Sequence, residues 1–304
     1  MPIRALHLRA FAALLGVLLP LAAPQVAGAA EEFDPQDEFA LPPWIEIDIF
    51  GIDLSINKGV AYLLIALILT CGVMIYTARR MQYRPTGKLQ TVVESAYSFM
   101  RDNIAGGNMD ARMAAKWFPF VATLFLFIWF SNIIGYVPLP FNTTHKVDVF
   151  GLELPSLAIY SATANLSVPL ALAIVVWLSY HVEGIRAKGP IGYIRSWIPA
   201  GVPGAAVPLI LGIEVLSHFV RLLSLSLRLF ANILAGHLLI LFMAGGLVVL
   251  MGLNLFGTLV LGVLTGVLGT VFFLFEIGLV VSLQAFIFAT LAAIYLGGAV
   301  ADEH

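Results

Sequence analysis

The sequence predicts an all-α integral membrane protein with about five transmembrane helices, one interfacial helix, and a last pair of long, strongly tilted helices arranged as a hairpin. Three observations carry this expectation. Of 304 residues, 60% are hydrophobic and 11% charged, where soluble domains carry ~25% charged residues. Several uncharged runs exceed the ~20 residues that a helix rising 1.5 Å per residue needs to cross ~30 Å of hydrocarbon. The cations cluster in alternate loops, as the positive-inside rule requires.

Residues 1–30 carry Arg4 and Arg9, an apolar run from Ala10 to Ala23, and small residues Ala27, Gly28 and Ala29 before Glu31, which is the layout of a signal peptide. A retained anchor helix is the alternative. Residues 31–57 are acidic, contain Pro42, Pro43 and the strand-like stretch WIEIDIFGIDL, and form an outer N-terminal segment; 58–304 form the membrane domain. A first span from Gly59 to Ala78 is closed by Arg79, Arg80, Arg84 and Lys88, which puts its end on the cytoplasmic side and its start outside. From Lys88 to about Asn103 the chain alternates apolar and polar residues at helical spacing, too short and too charged to cross, as an interfacial helix does.

The uncharged block Trp117 to Thr144 crosses outward, and a loop with Lys146, Asp148 and Glu153 follows. Leu154 to Tyr180 is the third span, after which Arg186, Lys188 and Arg195 mark the inner side and Gly189-Pro190 breaks the helix. Two long helices, about 208–250 and 257–298, join through a turn around Gly252 to Asn254 and leave the C-terminus in the cytoplasm. Both exceed a vertical crossing, so they tilt. Cys71, the single cysteine, has no internal disulfide partner, and the cations form no basic stripe, which excludes a nucleic-acid partner.

Between Pro208 and Glu276 the ionisable residues are Glu214, His218, Arg221, Arg228 and His237. At ~100° per residue, Glu214, Ser217, Arg221, Ser224, Arg228 and Asn232 fall on one stripe about 80° wide. An arginine at mid-membrane costs about 2.5–3.5 kcal/mol, so such residues are functional by default. Glu214 and Arg221, seven apart, either serve the function or simply neutralise each other; Arg228 has no acid three or four residues away. With a pKa above ~12, an arginine relays no proton. It is a fixed charge that favours the ionised form of a passing carboxylate and repels cations.

Residues 222–239, LLSLSLRLFANILAGHLL, resemble the signature helix of subunit a of bacterial F-type ATP synthases, and SLQAFIFATLAAIYL near the C-terminus is similar to that family's Q-A-[FY]-[IV]-F run. KLQTVVE (88–94), FSNIIGYVP (130–138) and SATANLSV (161–168) extend the resemblance over nearly all of 58–301. The resemblance implies a proton-conducting stator subunit with no active site and no cofactor of its own. Its partners would be a ring of c subunits, b-type peripheral stalk subunits and the rest of the complex, in the bacterial cytoplasmic membrane. It implies that Arg228 faces the ring carboxylate and separates two half-channels, with Asn232, His237 and Gln284 at the other motif positions and Glu214 at the upstream acid.

His237 lies about 180° from Arg228 on an ideal helix, which suits a path entering from the far side. Glu276 precedes Gln284 by eight positions, against the family's seven, so its pairing with His237 requires a π-bulge to absorb the extra residue. Asn132, Thr163, Asn165, Ser217 and Gln284 are either half-channel liners or helix-packing contacts. The Gly262/Gly266 spacing permits close helix approach. A secondary transporter would show inverted repeats, and a membrane hydrolase H-E-x-x-H or G-x-S-x-G; the sequence shows neither.

Overall fold

Asn57 opens the first long helix by accepting a hydrogen bond from the Val60 N–H at 3.0 Å. The helix α1 (Lys58–Arg80) then runs through apolar residues to Arg79 and Arg80 in its last turn. The computed structural model describes residues 41–301 apart from 42, 44, 50, 51, 54, 83–86, 138–145, 150, 151, 156–159, 200, 244–246, 248–250, 253 and 254. The signal-peptide expectation for 1–30 and the C-terminal Asp302-Glu303-His304 lie outside the described residues.

Ahead of α1, the strand-like stretch forms a short antiparallel hairpin, β1 (Asp48–Ile49) with β2 (Ile52–Asp53), extended by a bridge between Ile45 and Ile56. The interfacial helix α2 (Lys88–Phe99) continues into a π turn, Met100–Ala105, and ends in a single turn at Asn108. The second span, α3 (Ala111–Gly135), starts six residues before Trp117 and stops nine before Thr144. Arg112 and Lys116 thus enter the helix in its first two turns, where long side chains can bury their stems and keep their charges in water. Pro119 lies within α3, and the Thr123 hydroxyl donates to its carbonyl at 2.7 Å.

The third span begins later than expected. Residues from Leu154 pair instead in a hairpin, β3 (Lys146–Val149) with β4 (Leu152–Pro155), in the register Val147↔Leu154 and Asp148↔Glu153. The alternating pattern VDV and LEL suits strands, and Pro155 ends the pairing. A 3₁₀ turn (Ala162–Ala164) then leads to α4 (Ser167–Lys188), which carries Pro169 in its first turn and ends at Gly189, whose φ of 73° suits glycine. The short α5 (Pro190–Arg195) follows with proline in its opening turn.

The two final helices are α6 (Val207–Leu241), with 35 residues, and α7 (Leu255–Phe275), which passes through a π turn (Glu276–Val280) into α8 (Val281–Val300). The described part of α6 ends nine residues before the expected boundary, and 257–298 is two α-helices interrupted by the π turn rather than one. Gly252 has a φ of 56°, as the expected turn requires.

By contacts the chain divides into a larger unit, Leu41–Leu234 with Ile277 onward, and a smaller one within Ala235–Glu276. In the larger unit α8 packs against α3 and α4, and α3 against α1. Small residues permit this: Ala285, Ala289, Ala292 and Ala293 are fully buried on one face of α8, beside Phe288 and Leu296. Coverage is uneven. Of the most apolar stretch of α3, 39% is buried and of α4 33%, but only 6% of the most apolar stretch within each of the two longest segments, Gly204–Leu241 and Phe256–Val300.

At the end of α3 a Cβ on Gly135 would lie 2.5 Å from the Ser161 Cβ and 2.6 Å from its Cα. We expect Gly135→Ala to destabilise the protein by about 1–3 kcal/mol, as overpacking does. Thermal unfolding of the purified protein in detergent reads this directly; an unchanged midpoint would show that the backbone at Ser161 yields freely.

Candidate functional site

Apolar residues surround the polar stripe that the sequence defines on α6, and burial divides the helix into three faces. His218, Leu225, Leu229 and Ile233 are buried, Leu216, Phe219, Val220, Leu223 and Leu227 are exposed, and the stripe runs between them. Within it Glu214 and Arg221 form an ion pair, Nη2 to Oε1 at 3.2 Å, and the Arg221 guanidinium stands 5.8 Å from the centre of the Tyr295 ring. Of the two readings the sequence left open for this pair, mutual neutralisation therefore has a geometric basis. Ser217 and Asn232 are half-buried on the same stripe.

Arg228 differs. It is exposed on the surface of the chain, donates to the Ser224 hydroxyl at 3.3 Å, and among the described residues has no carboxylate within ion-pair distance.

In the smaller unit, His237 and Glu276 are both buried, at 2% and 7% exposure. The Glu276 carboxyl lies against the backbone of Gly236, next to His237 in the chain: a Cβ on Gly236 would fall 2.6 Å from Cδ and Oε2 and 2.8 Å from Oε1. A larger residue there would have to displace the end of the Glu276 side chain. The π turn begins at Glu276 itself and takes up one residue, so that the eight-residue interval to Gln284 is helically equivalent to seven. Gln284 is buried on α8. A Cβ on Gly262 or Gly266 would meet open space, so these two glycines mark no close packing within the chain, whereas Gly269 approaches the Met243 Cβ at 3.2 Å.

Asn132 and Thr163 come together at the C-terminal end of α3. The Thr163 hydroxyl donates to Asn132 Oδ1 at 2.6 Å, Ser161 Oγ lies 2.7 Å from Thr163 Oγ1, and Ser161 donates to the Ser131 carbonyl at 3.1 Å. The Asn132 amide nitrogen and the Ser131 hydroxyl are buried without hydrogen-bond partners, so this cluster is polar beyond what packing satisfies. Asn165 stands apart from it and accepts from the Ser167 N–H at 3.0 Å at the start of α4. Nearby, burial pushes the Tyr160 hydroxyl up to about 12, against the lowering effect of its hydrogen bond to Asn165.

Two further groupings escaped the sequence reading. Lys116 on α3 pairs with the buried Glu183 on α4. Four residues of α4, α5 and α6 meet through two contacts, Tyr180 OH to His218 Nδ1 at 2.9 Å and His181 Nδ1 to Tyr193 OH at 2.8 Å. The run WLSYH (177–181), polar and aromatic at the end of a span, is the signal that would have found them.

This geometry sits on a chain with established relatives. A sequence profile described as ATP synthase A chain matches residues 60–297, from the start of α1 nearly to the end of α8. The chain belongs to the ATP synthase A chain family. It is 33% identical over 271 residues to ATP synthase subunit a 1 of Brucella anthropi, covering 89% of this chain and 99% of that protein. ATP synthase subunit a of Parvibaculum lavamentivorans is 32% identical over 285 residues, with coverage of 91% and 97%. ATP synthase subunit a of Brucella ovis is 34% identical over 272 residues, with coverage of 89% and 99%. The family match spans every residue of the polar groupings described above, and five apolar helices give the multi-pass membrane protein that composition predicted.

Thr163→Val removes a buried donor to Asn132 while keeping shape. We expect a loss of about 1–3 kcal/mol, because an amide already short of partners loses another. Differential scanning of the detergent-solubilised variant checks this; no change would mean that Asn132 finds a replacement partner.

Proposed function

We propose that the chain is the ion-conducting stator subunit of the membrane sector of an F-type ATP synthase, with Arg228 as the fixed cation between two half-channels. The observation that carries this reading is the state of Arg228: a guanidinium in the middle of a 35-residue apolar helix, exposed on the chain's own surface and met by one serine hydroxyl. Such a charge is best stabilised by a carboxylate from another chain; the relatives are named ATP synthase subunit a, and in this reading a ring of c subunits is the source. A passing ring carboxylate is attracted in its ionised form, and free cations are repelled, so that ions exchange with the ring and do not leak past it.

In this reading His237, Glu276 and Gln284 serve the outer half-channel, and Glu214, Ser217 and Arg221 the cytoplasmic one. Asn132, Thr163 and Asn165 lie toward the outer side, and Asn232 stands between Arg228 and the outer end of α6. The N-terminal segment is outside the bacterial cytoplasmic membrane, preceded by a cleaved signal peptide at 1–30, and the C-terminus is inside. Residues 58–304 form the functional domain. b-type stalk subunits hold it against the ring's rotation. The ion is the proton, and each charge crossing 100 mV delivers about 2.3 kcal/mol, so several pass per ATP. The chain carries no catalysis of its own.

Two substitutions test this. In membrane vesicles holding the whole complex, Arg228→Ala abolishes ATP-driven acidification while ATP hydrolysis by the catalytic head remains measurable; pumping at the wild-type rate would sink the assignment. Gly236→Ala pushes a methyl into the Glu276 carboxyl, and we expect pumping to fall about tenfold or more, with the serine variant no better. Unimpaired pumping in Gly236→Ala would show that Glu276 need not sit there.

A further inference from the structure

His218 sits in a box of rings. The centres of Trp197, His181 and Tyr180 lie 4.5, 4.7 and 5.7 Å from that of His218, which is 5% exposed. Its Nδ1 is held by the Tyr180 hydroxyl at 2.9 Å. Its Nε2 is buried, has no hydrogen-bond partner, and faces Glu214 Oε1 at 3.8 Å. Glu214 in turn is paired with Arg221. A cavity of about 490 Å³ touches Tyr180, Glu214 and His218 and extends past Trp197 and Ser196 to Lys188, in the connection between α4 and α6.

A histidine that only filled space would be expected to have both ring nitrogens satisfied or its polar edge away from charge. Here one nitrogen is fixed by a hydroxyl, and the other is aimed at a carboxylate across a gap longer than a hydrogen bond. Closing it by less than 1 Å, as Oε1 turns from the Arg221 guanidinium toward the ring, brings the pair into the range for proton transfer.

We propose that His218 carries protons between Glu214 and water on the inner side of the membrane, with Tyr180 as the residue that positions its ring. This rests on the ion-translocating reading above. In the inward step of the relay, the protonated Glu214 gives its proton to Nε2, leaving a carboxylate paired with Arg221 and an imidazolium whose Nδ1–H is hydrogen-bonded to the Tyr180 oxygen. The imidazolium returns to neutral by giving one proton to water entering the cavity; ATP-driven pumping runs the same steps in reverse. The charged and titratable groups around the ring are Glu214 and Arg221 on α6, Tyr180 and His181 on α4, Tyr193 on α5 and Tyr295 on α8, with Lys188 at the cavity's far end. The Arg221 cation opposes a proton lodged on the ring and the Glu214 carboxylate attracts one, which suits a carrier rather than a store.

Inverted vesicles holding the whole complex expose the cytoplasmic face to the medium, so buffer can be supplied there. Free histidine is zwitterionic and does not cross the membrane. We expect His218→Gln to slow ATP-driven acidification about tenfold and 50 mM free histidine (~50 mM, chosen as a buffer excess) to restore at least about half of the rate, with no effect on the wild type. Tyr180→Phe, which keeps the ring box, slows pumping about two- to threefold and responds to the same buffer. Wild-type pumping in His218→Gln overturns the proposal, and so does a loss that added histidine leaves untouched in vesicles of normal subunit content. If the glutamine variant does not assemble, His218→Asn, whose amide retains a partner for Tyr180, carries the same two outcomes. The parent reading fails separately, through Arg228→Ala.

Discussion

A guanidinium carried inside an apolar helix has to be met by something polar, and α6 holds two that are met very differently. Arg221 has the Glu214 carboxylate at 3.2 Å and an aromatic ring on α8 nearby. Arg228, seven residues further along, has a single serine hydroxyl. An insertion cost of about 2.5–3.5 kcal/mol per arginine is offset within the chain for the first and left standing for the second. The rest of the layout is consistent with that asymmetry. The helices α1, α3, α4 and α8 bury their small and aromatic residues against each other, and α6 keeps a polar edge open.

Hydrocarbon also decides how the packed helices are joined. Apolar side chains gain little by leaving lipid for one another, so contact has to come from close backbone approach and from polar groups that prefer each other to acyl chains. Both are present. Alanines line the buried face of α8, Gly135 admits the backbone of Ser161, and Gly297 admits the Asn108 carbonyl, 2.5 Å from where a Cβ would stand. Lys116 and Glu183 tie α3 to α4, and the Trp129 indole donates to Ser282 at 3.1 Å to tie α3 to α8.

Much of this was readable from the residues. Loop cations and uncharged runs located all five spans because both signals come directly from the bilayer, and the stripe on α6 followed from helical angles alone. Boundaries were less legible. The helix of the third span starts thirteen residues after Leu154, with the end of β4 and a 3₁₀ turn ahead of it, since an uncharged run reports solubility in lipid and not hydrogen-bond pattern. The π turn at Glu276 was foreshadowed by a one-residue offset, yet only coordinates reveal which turn absorbs it. Gly236 is a further case: the carboxyl it lies against comes from forty residues away in sequence, which no local pattern encodes. The His181–His218 grouping depends on three helices meeting, and spacing along one chain carries no trace of such a meeting beyond the WLSYH run.

The exposed apolar faces of α6 and α7 have a consequence for the life of the molecule. Acyl chains solvate leucine and valine well, so most of that bare surface is harmless in a newly inserted copy. Arg228 is the exception, because fatty tails offer it nothing, and only a stretched side chain or a local water defect brings relief. On the proposed reading, a copy outside the complex therefore leaves a fault in its surrounding bilayer that ends when a ring carboxylate reaches Arg228.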